Sequence, residues 1–454
     1  MPQLGEAVAR YHKLLEQPSY RDTAWADLFQ EQMRQQHLVD SGRLLAPVLR
    51  PHFVSRRQLD ALSRLSAQMA QILERLEAIA FASPALLNRL QMLPAEKMLA
   101  AVPHGYSRSG VATSMDANLR NGSLSLQGLD ACKPAGLVYS NILADLFLEL
   151  PIVKEFKRGR YKLSKLGGPR PLIHAIQSAY REFGGKTKPA IAIVELNQEP
   201  GAPDAGSSSE GRLLAETLNQ LGGNARVVPP ELLEYSGGKL RSGDFTIDLV
   251  FRRVLTRELL TRWDLSHPLL RAYRDRAVCV VNSFRSEFAQ RRTLFDLLTD
   301  ETVTAHLPAA DRKLIRSCVS WTRVVSPRKT THADKQIDLP EFILNQRERL
   351  TLLPNEDSND QRVYIGAEMT PAAWDRALKL ALRTPYVVQE RTVSARDCFP
   401  IFQYGELKMK EAEVAVHPHV LNGEMSGASA VLQTYSTGSA AHLAIAPVLL
   451  LEEA

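Results

Sequence analysis

The segment 350–366, LTLLPNEDSNDQRVYIG, reads as an apolar strand, a polar loop and a second strand. Such a loop is a natural place to hold a ligand, and its residue types decide which. It contains no lysine and, before Gly366, no glycine. Capture of phosphate calls for cations, or for glycine-bearing backbone that can lay N–H groups on an anion. Glu356, Asp357 and Asp360 against Arg362 leave the loop with a net charge of about −2, which repels a triphosphate unless metal sits between. Arg362 is the one cation that could reach inward in compensation. Elsewhere, Arg252-Arg253 and Gln389-Glu390 end apolar strands, where the ordinary role is an ion pair within the fold. Four isolated cysteines (Cys132, Cys279, Cys318 and Cys398) exclude a CxxC redox or zinc pair and read as reduced thiols. His417 and His419 form an HPH pair with no cysteine or second histidine pair nearby, so zinc is not expected.

These residues need elements to position them. A chain of 454 residues suggests two or three domains, and 44% hydrophobic with 23% charged residues fits a soluble globular protein. The opening MPQLGEAVARYHKLLEQ has no apolar signal core and carries Glu6 and Glu16. The most apolar run, LVYSNILADLFLELPIV, is broken by Asp145 and Glu149, so no membrane span is expected and the cytoplasm is the expected location. The net charge of +6 is concentrated in residues 154–170, where seven basic residues face one acid. Only Phe156 and Tyr161 there could stack on bases, and no nucleic-acid motif surrounds them; a solvated basic surface is expected, not a nucleic-acid partner.

The first 100 residues read as helical. Ser55 and Gln58 form a capping box ahead of an apolar stripe at Leu59, Leu62, Leu65, Met69, Ile72, Leu76 and Ile79. At about three heptads, this helix is expected to pack on its own domain, not to form a coiled coil. Asn121-Gly122 inside an alternating stretch signals a hairpin. PAIAIVEL, GRLLAETLNQLG, NARVVP and TIDLVFRRV alternate strand and helix as in a parallel βαβ unit, without a GxGxxG fingerprint. SEFAQRRTLFDLLTDE (286–301) and TPAAWDRALKLALR read as helices, PYVVQERT as a strand. From Phe399 the chain reads as strands: FPIFQYGEL, AEVAVHPHVL, SAVLQTY and HLAIAPVLLLEE.

CKPAGLVYSN, the SSSEG loop after IAIVE, IDLVFRRVLTREL, VCVVNSF, and LTLLPNEDSNDQRVYIG followed by YVVQERT occur in this order. Together they resemble circularly permuted ATP-grasp proteins of the glutathionylspermidine synthase-like group, over roughly residues 110–452. The fold class this implies is α/β and α+β, a circularly permuted ATP-grasp-like architecture with a helical N-terminal region. The parts expected are 1–110 helical, 111–285 with the metal hairpin and Rossmann-like region, and 286–454 with the ATP-grasp-like lobes. Active members clamp ATP between two lobes and activate a carboxylate as an acyl phosphate for attack by an amine.

The resemblance also implies which positions should bind ATP and Mg2+. The family's strand lysine falls on Leu353, and the loop glycines on Asn359, Asp360 and Arg362. Pro354, Asn355 and Asp357 keep the loop's shape. The second phosphate lysine corresponds to Arg292 or Arg291; arginine keeps the charge and grips phosphate bidentately. The metal motif corresponds to Ser114, Asp116, Gly128 and Asp130, so Asp116 and Asp130 are the candidate ligands. They share one face only if residue 116 sits opposite 128, which a two-residue turn at Asn121-Gly122 permits only with a bulge or a wider loop. Gln389 and Glu390 fall at the hinge near the family's adenine, and Arg253 is a candidate catalytic cation. The family's closing Arg, Asn and glycine run has no counterpart in SAVLQTYSTGSAAHLAIAPV.

The expectation is a retained scaffold with eroded chemistry: a binding or scaffold subunit, with a protein partner such as an active homologue. The competing expectation is a carboxylate–amine ligase using ATP and Mg2+ through Arg292, Asp116 and Asp130, with a small-molecule carboxylate and amine as substrates. The two differ in whether these groups converge on one cleft.

Overall fold

A computed structural model describes residues 2–40, 42–120, 123–196, 209–356, 362–436 and 439–453. Three sheets organise it.

The largest has eight strands. Its main path runs His52–Val54, Ser439–Glu453, Glu424–Ser436, Glu406–Leu421, Ala112–Arg120 and Ser123–Asp130, with Ala395–Gln403 and Tyr161–Lys165 pairing onto it. His52–Val54 lies parallel to the last strand, so the beginning and end of the chain share one core. The helix Arg56–Ala82 starts at the expected capping box: Gln58 N–H donates to Ser55 Oγ, and Ser55 N–H to Gln58 Oε1. Its buried stripe packs on the sheet through Leu62 and Leu65 and joins a core with the helices Thr293–Leu298 and Ala309–Cys318 through Met69, Ile72 and Leu76, which accounts for the heptad-like spacing without a coiled-coil partner.

The second sheet is four-stranded and parallel, in the order Cys279–Val281, Leu249–Arg252, Ala190–Val194, Asn224–Val228. Its strands read as unbroken apolar runs because both faces are covered. Ile191 and Ile193 point into a core with the helices Pro169–Phe183 and Ser209–Gln220; Ala192 and Val194 point into another with Leu259, Leu269 and Tyr273.

The third sheet is antiparallel, in the order Thr322–Val324, Tyr386–Glu390, Leu350–Pro354, Tyr364–Ile365. Leu350, Leu352, Tyr386 and Val388 pack against the helices Leu339–Asn345 and Pro371–Ala381 around Trp374. Period-two alternation therefore turns Thr351 and Leu353 to the other face.

Two expected elements are interrupted. The helix expected over 286–301 is a 3-10 turn at Phe284–Phe288 and two short helices, Thr293–Leu298 and Glu301–Thr304. The break has a cause: Arg292 N–H donates to Asn355 O at 2.9 Å, and Thr293 N–H to Asn355 Oδ1 at 3.0 Å. Asn355 thereby takes over donors that a continuous helix would have used internally. FPIFQYGEL is not one strand but a turn between two. Gln403 pairs with Glu406 while Tyr404 and Gly405 adopt φ of 55° and 75°, the left-handed pair a two-residue hairpin requires.

Candidate functional site

The third sheet faces the large sheet across a cleft of about 1320 Å³. One wall carries Thr351, Leu353, Val363, Ile365 and Gln389. The other carries Asp116, Arg120 and Gln127 from the hairpin, with Glu413 and Gln433 from the neighbouring strands. Residues 390–396 join the two sheets and line the bend.

The hairpin places Asp116 by an irregularity. Arg120 pairs with Ser123, as a two-residue turn demands, which alone would put Asp116 opposite Gln127. A register shift after Asp116 sets it opposite Gly128, and Ser114 opposite Asp130. The two acids nevertheless do different things. Asp116 faces the cleft, its Oδ1 3.5 Å from His417 Nε2. Asp130 is folded into its own turn, its Oδ1 accepting from the N–H groups of Cys132 (3.0 Å) and Lys133 (2.8 Å). Burial raises the Asp130 carboxyl above its ordinary range, against those two hydrogen bonds.

The adjacent arginines diverge as well. Arg292 lines the cleft, with Nη1 donating to Pro354 O at 2.8 Å. Arg291 points into the protein. It pairs with Glu96 at 2.7 Å and Glu356 at 2.5 Å, and both Arg291 and Glu96 are almost wholly buried. Glu356 also meets Arg257 at 3.3 Å, so the first acid of the polar loop turns inward. Asn355 is buried, its Nδ2 donating to Leu90 O while its Oδ1 caps Thr293. Arg253 is buried at the end of its parallel strand, held by Glu195 at 3.2 Å and by Pro134 O at 3.0 Å. Asp357 lies outside the described residues. Among the described residues the lining does not include Arg362, whose carbonyl accepts from the Tyr386 hydroxyl.

Gln389 and Glu390 are both on the cleft. Gln389 Nε2 donates to Thr322 Oγ1 at 3.0 Å, and Glu390 Oε1 meets His332 at 2.9 Å and Arg349 at 3.1 Å. Of the nine candidate positions, the structure therefore brings Asp116, Arg292, Gln389 and Glu390 to one cleft. It places Arg253, Arg291, Asn355 and Asp130 in contacts internal to the protein.

Sequence reading missed several lining residues: Arg120, Arg349, Arg391, Arg396 and Glu413. One signal was available. In AEVAVHPHVL the polar residues Glu413, His417 and His419 recur at even spacing, so they share one face of the strand. His419 is buried at 3.3 Å from Ser429 Oγ, and desolvation, with the neighbouring His417, pushes its imidazole down to about 3.

Charge decides what the cleft can hold. Five carboxylates (Asp116, Glu348, Glu368, Glu390, Glu413) balance five arginines (Arg120, Arg292, Arg349, Arg391, Arg396), and no lysine lines it among the described residues. Arg349 and Arg396 are already paired, with Glu390 and Glu413. Leu353, Val363 and Val393 contribute apolar surface, and Val363 and Val393 are well exposed. A magnesium-bridged triphosphate calls for several oxygen ligands and a surplus of cations. The set present does not fit it: Gly128 stands opposite Asp116, Asp130 is committed to backbone, and no metal-holding group of three acids, histidines or cysteines occurs among the described residues.

No protein-family model and no curated protein matches the chain. Solved structures do. A glutathione synthetase-like effector from Globodera pallida, in its apo form, superposes with a TM-score of 0.61 at 12% identity, covering 96% of this chain and 99% of its own. A putative gamma-glutamylcysteine synthetase from Methylobacillus flagellatus KT aligns over 85% of each chain at 10% identity, with a TM-score of 0.40. The chain therefore shares the fold of that glutathione synthetase-like effector over nearly its whole length. Among the described residues no helix is long and apolar enough to cross a membrane.

The basic stretch 154–170 keeps most of its basic side chains on the surface, as expected, and turns Phe156, Tyr161 and Leu163 into the large core. Phe156 and Tyr161 are buried and stacked on each other at 5.0 Å. Lys154, Arg160 and Lys165 pair with Glu149, Glu6 and Asp145.

Proposed function

We propose that this chain is a circularly permuted ATP-grasp-like protein whose cleft no longer performs carboxylate–amine ligation, and that it acts as a binding or scaffold subunit beside a protein partner such as an active homologue. The observation that carries this reading is the wall of the cleft at Leu353. The side chain there faces the space between the sheets, where ligation would need a cation on the transferring phosphoryl group. Among the described residues the surrounding charge is balanced, with five carboxylates against five arginines.

A second reading rests on a different observation: Asp116, Arg292, Gln389 and Glu390 line one cleft. On that reading the protein is an ATP-dependent carbon–nitrogen ligase with Arg292 on phosphate, acting on a small-molecule carboxylate and an amine. Isothermal titration with ATP, with and without magnesium, separates the two. The scaffold reading expects no saturable heat at millimolar ATP. Magnesium-dependent binding that weakens in Arg292→Ala and Asp116→Ala would overturn it in favour of the ligase.

A further inference from the structure

Behind the bend of the cleft lies a second cavity of about 740 Å³. Its walls are the helix Ala309–Cys318, the loop after Leu298, and residues 319–321. Glu390 and Thr392 line both cavities, so the joining segment is their common partition. A backbone bridge between Leu126 and Val319 closes the side towards the hairpin. The volume is in the range of small-molecule sites, roughly 300–1,000 Å³, which are mostly apolar with a few placed polar groups.

The lining here is mixed: Thr299, Thr304, Ser317 and Ser320 contribute polar surface, and the apolar part is gathered on one side. Leu298, Ile315, Cys318 and Val319 are nearly buried and present apolar surface. Trp321 adds an aromatic ring, fixed because its Nε1 donates to Thr331 O at 3.0 Å. The charges are unequal once existing pairs are removed. Glu390 is already matched by His332 and Arg349. Arg312 donates to the carbonyls of Ala305 and Leu307 but keeps its charge. Arg316 faces Glu301 at 3.6 Å, with the two side chains 65% and 74% exposed. A pair that long and that wet holds its partners weakly. Arg312 and Arg316 against Glu301 leave one positive charge beside an apolar, aromatic wall.

We propose that this cavity binds an aromatic monoanion, its ring against Trp321, Ile315 and Val319 and its anionic group on Arg316. The guanidinium fork suits a carboxylate or sulfonate. The proposal is independent of whether the main cleft takes ATP.

The probe is 2-naphthoate, titrated by calorimetry into the full chain. One-to-one saturable binding is expected. Arg316→Ala should raise Kd about tenfold, as expected for loss of a charge-assisted contact. Ser320→Trp, at the half-buried mouth, should abolish binding; if that variant fails to fold by circular dichroism, Ser317→Trp on the exposed side of the helix takes its place. Leu353→Arg, in the main cleft, should leave the titration unchanged. Quenching of tryptophan fluorescence by the ligand should disappear in Trp321→Phe. Binding that survives the blocking variant, that is lost in Leu353→Arg, or that never saturates at millimolar naphthoate would overturn the assignment.

Discussion

Arg291→Ala should cost the fold about 3–5 kcal/mol at pH 7, and Arg292→Ala, one residue on, clearly less. The contrast follows from burial. The Arg291 guanidinium and the Glu96 carboxylate are each 2% exposed and 2.7 Å apart. Removing the cation leaves Glu96 in a low-dielectric interior, and the penalty is that of an uncompensated buried charge. Glu356 is less affected because Arg257 remains 3.3 Å away, which places the expected loss nearer the lower bound. Arg292 is only half-buried and lines the open cleft, where its Nη1 donates to Pro354 O, so water can solvate what its removal uncovers. The assay is urea unfolding followed by tryptophan fluorescence, with the midpoint of the first transition read for both variants. Burial raises the Glu356 carboxyl above its ordinary range, while Arg291 and Arg257 pull it back. Without Arg291 the folded state gains affinity for a proton, so the deficit of Arg291→Ala should shrink as the pH falls from 7 to 5. The double variant Arg291→Met, Glu96→Met should recover most of the loss. A deficit below about 1 kcal/mol, or one equal to that of Arg292→Ala, would refute the placement of Arg291 as a structural cation.

Two further outcomes are expected. Because burial holds His419 at about 3 in the fold against about 6.5 in the unfolded chain, its contribution is present above pH 6.5 and is lost as the pH falls towards 3. The loss is about 2 kcal/mol between pH 6.5 and 5; His419→Gln should flatten the pH dependence of the urea midpoint over that range, and an unchanged slope would contradict the assignment. On the ligase reading, where the parent chain binds ATP measurably, Leu353→Lys should raise that affinity about tenfold, since one charge about 5 Å from a phosphate at an effective dielectric of about 20 gives about 3 kcal/mol, of which desolvation removes roughly half; on the scaffold reading neither chain gives saturable heat, and a parent that binds with no gain in the variant would mean that residue 353 does not face a phosphate position.

Periodicity carried the fold further than it carried the site. The parallel strands were legible because burial on both faces leaves an apolar run, and the capping box of Arg56–Ala82 because its two partners lie three residues apart. The hairpin register was legible as a condition: the Asn121-Gly122 sequence signalled a short turn, Arg120 pairs with Ser123, and the required bulge sits after Asp116. What could not be read were partners distant in sequence. Asn355 interrupts the helix expected over 286–301 from more than 60 residues away, and no local propensity records that. The same limit separated Arg291 from Arg292. Neighbouring residues of one type look equivalent in sequence, and only Glu96, on a helix in the first hundred residues, decides which of them is buried. Asp116 and Asp130 divided for a local reason: Asp130 precedes two N–H groups that its carboxylate can cap.

On the proposed reading, the residues that kept the shape of the loop would let its phosphate chemistry lapse without loss of the fold. Pro354, Asn355 and Glu356 together bond to Arg292, Thr293, Leu90, Arg257 and Arg291. These contacts tie the end of the strand Leu350–Pro354 to helices outside its own sheet. Several are buried, so separating the two sheets at this edge would expose Arg291, Glu96 and Asn355 at once. A cleft strapped in this way resists wide opening and closing, since each broken buried bond costs about 1–3 kcal/mol. Leu353, on the cleft-facing side of the same strand, contributes to none of these bonds through its side chain and is free to change without unfastening them. The bonds that fasten the strand and, on the proposed reading, the position that served phosphate chemistry thus lie on alternate faces of one short strand. A chain that lost the second would still present a cleft of fixed width, which suits holding a partner or a ligand better than a catalytic cycle of closure and release.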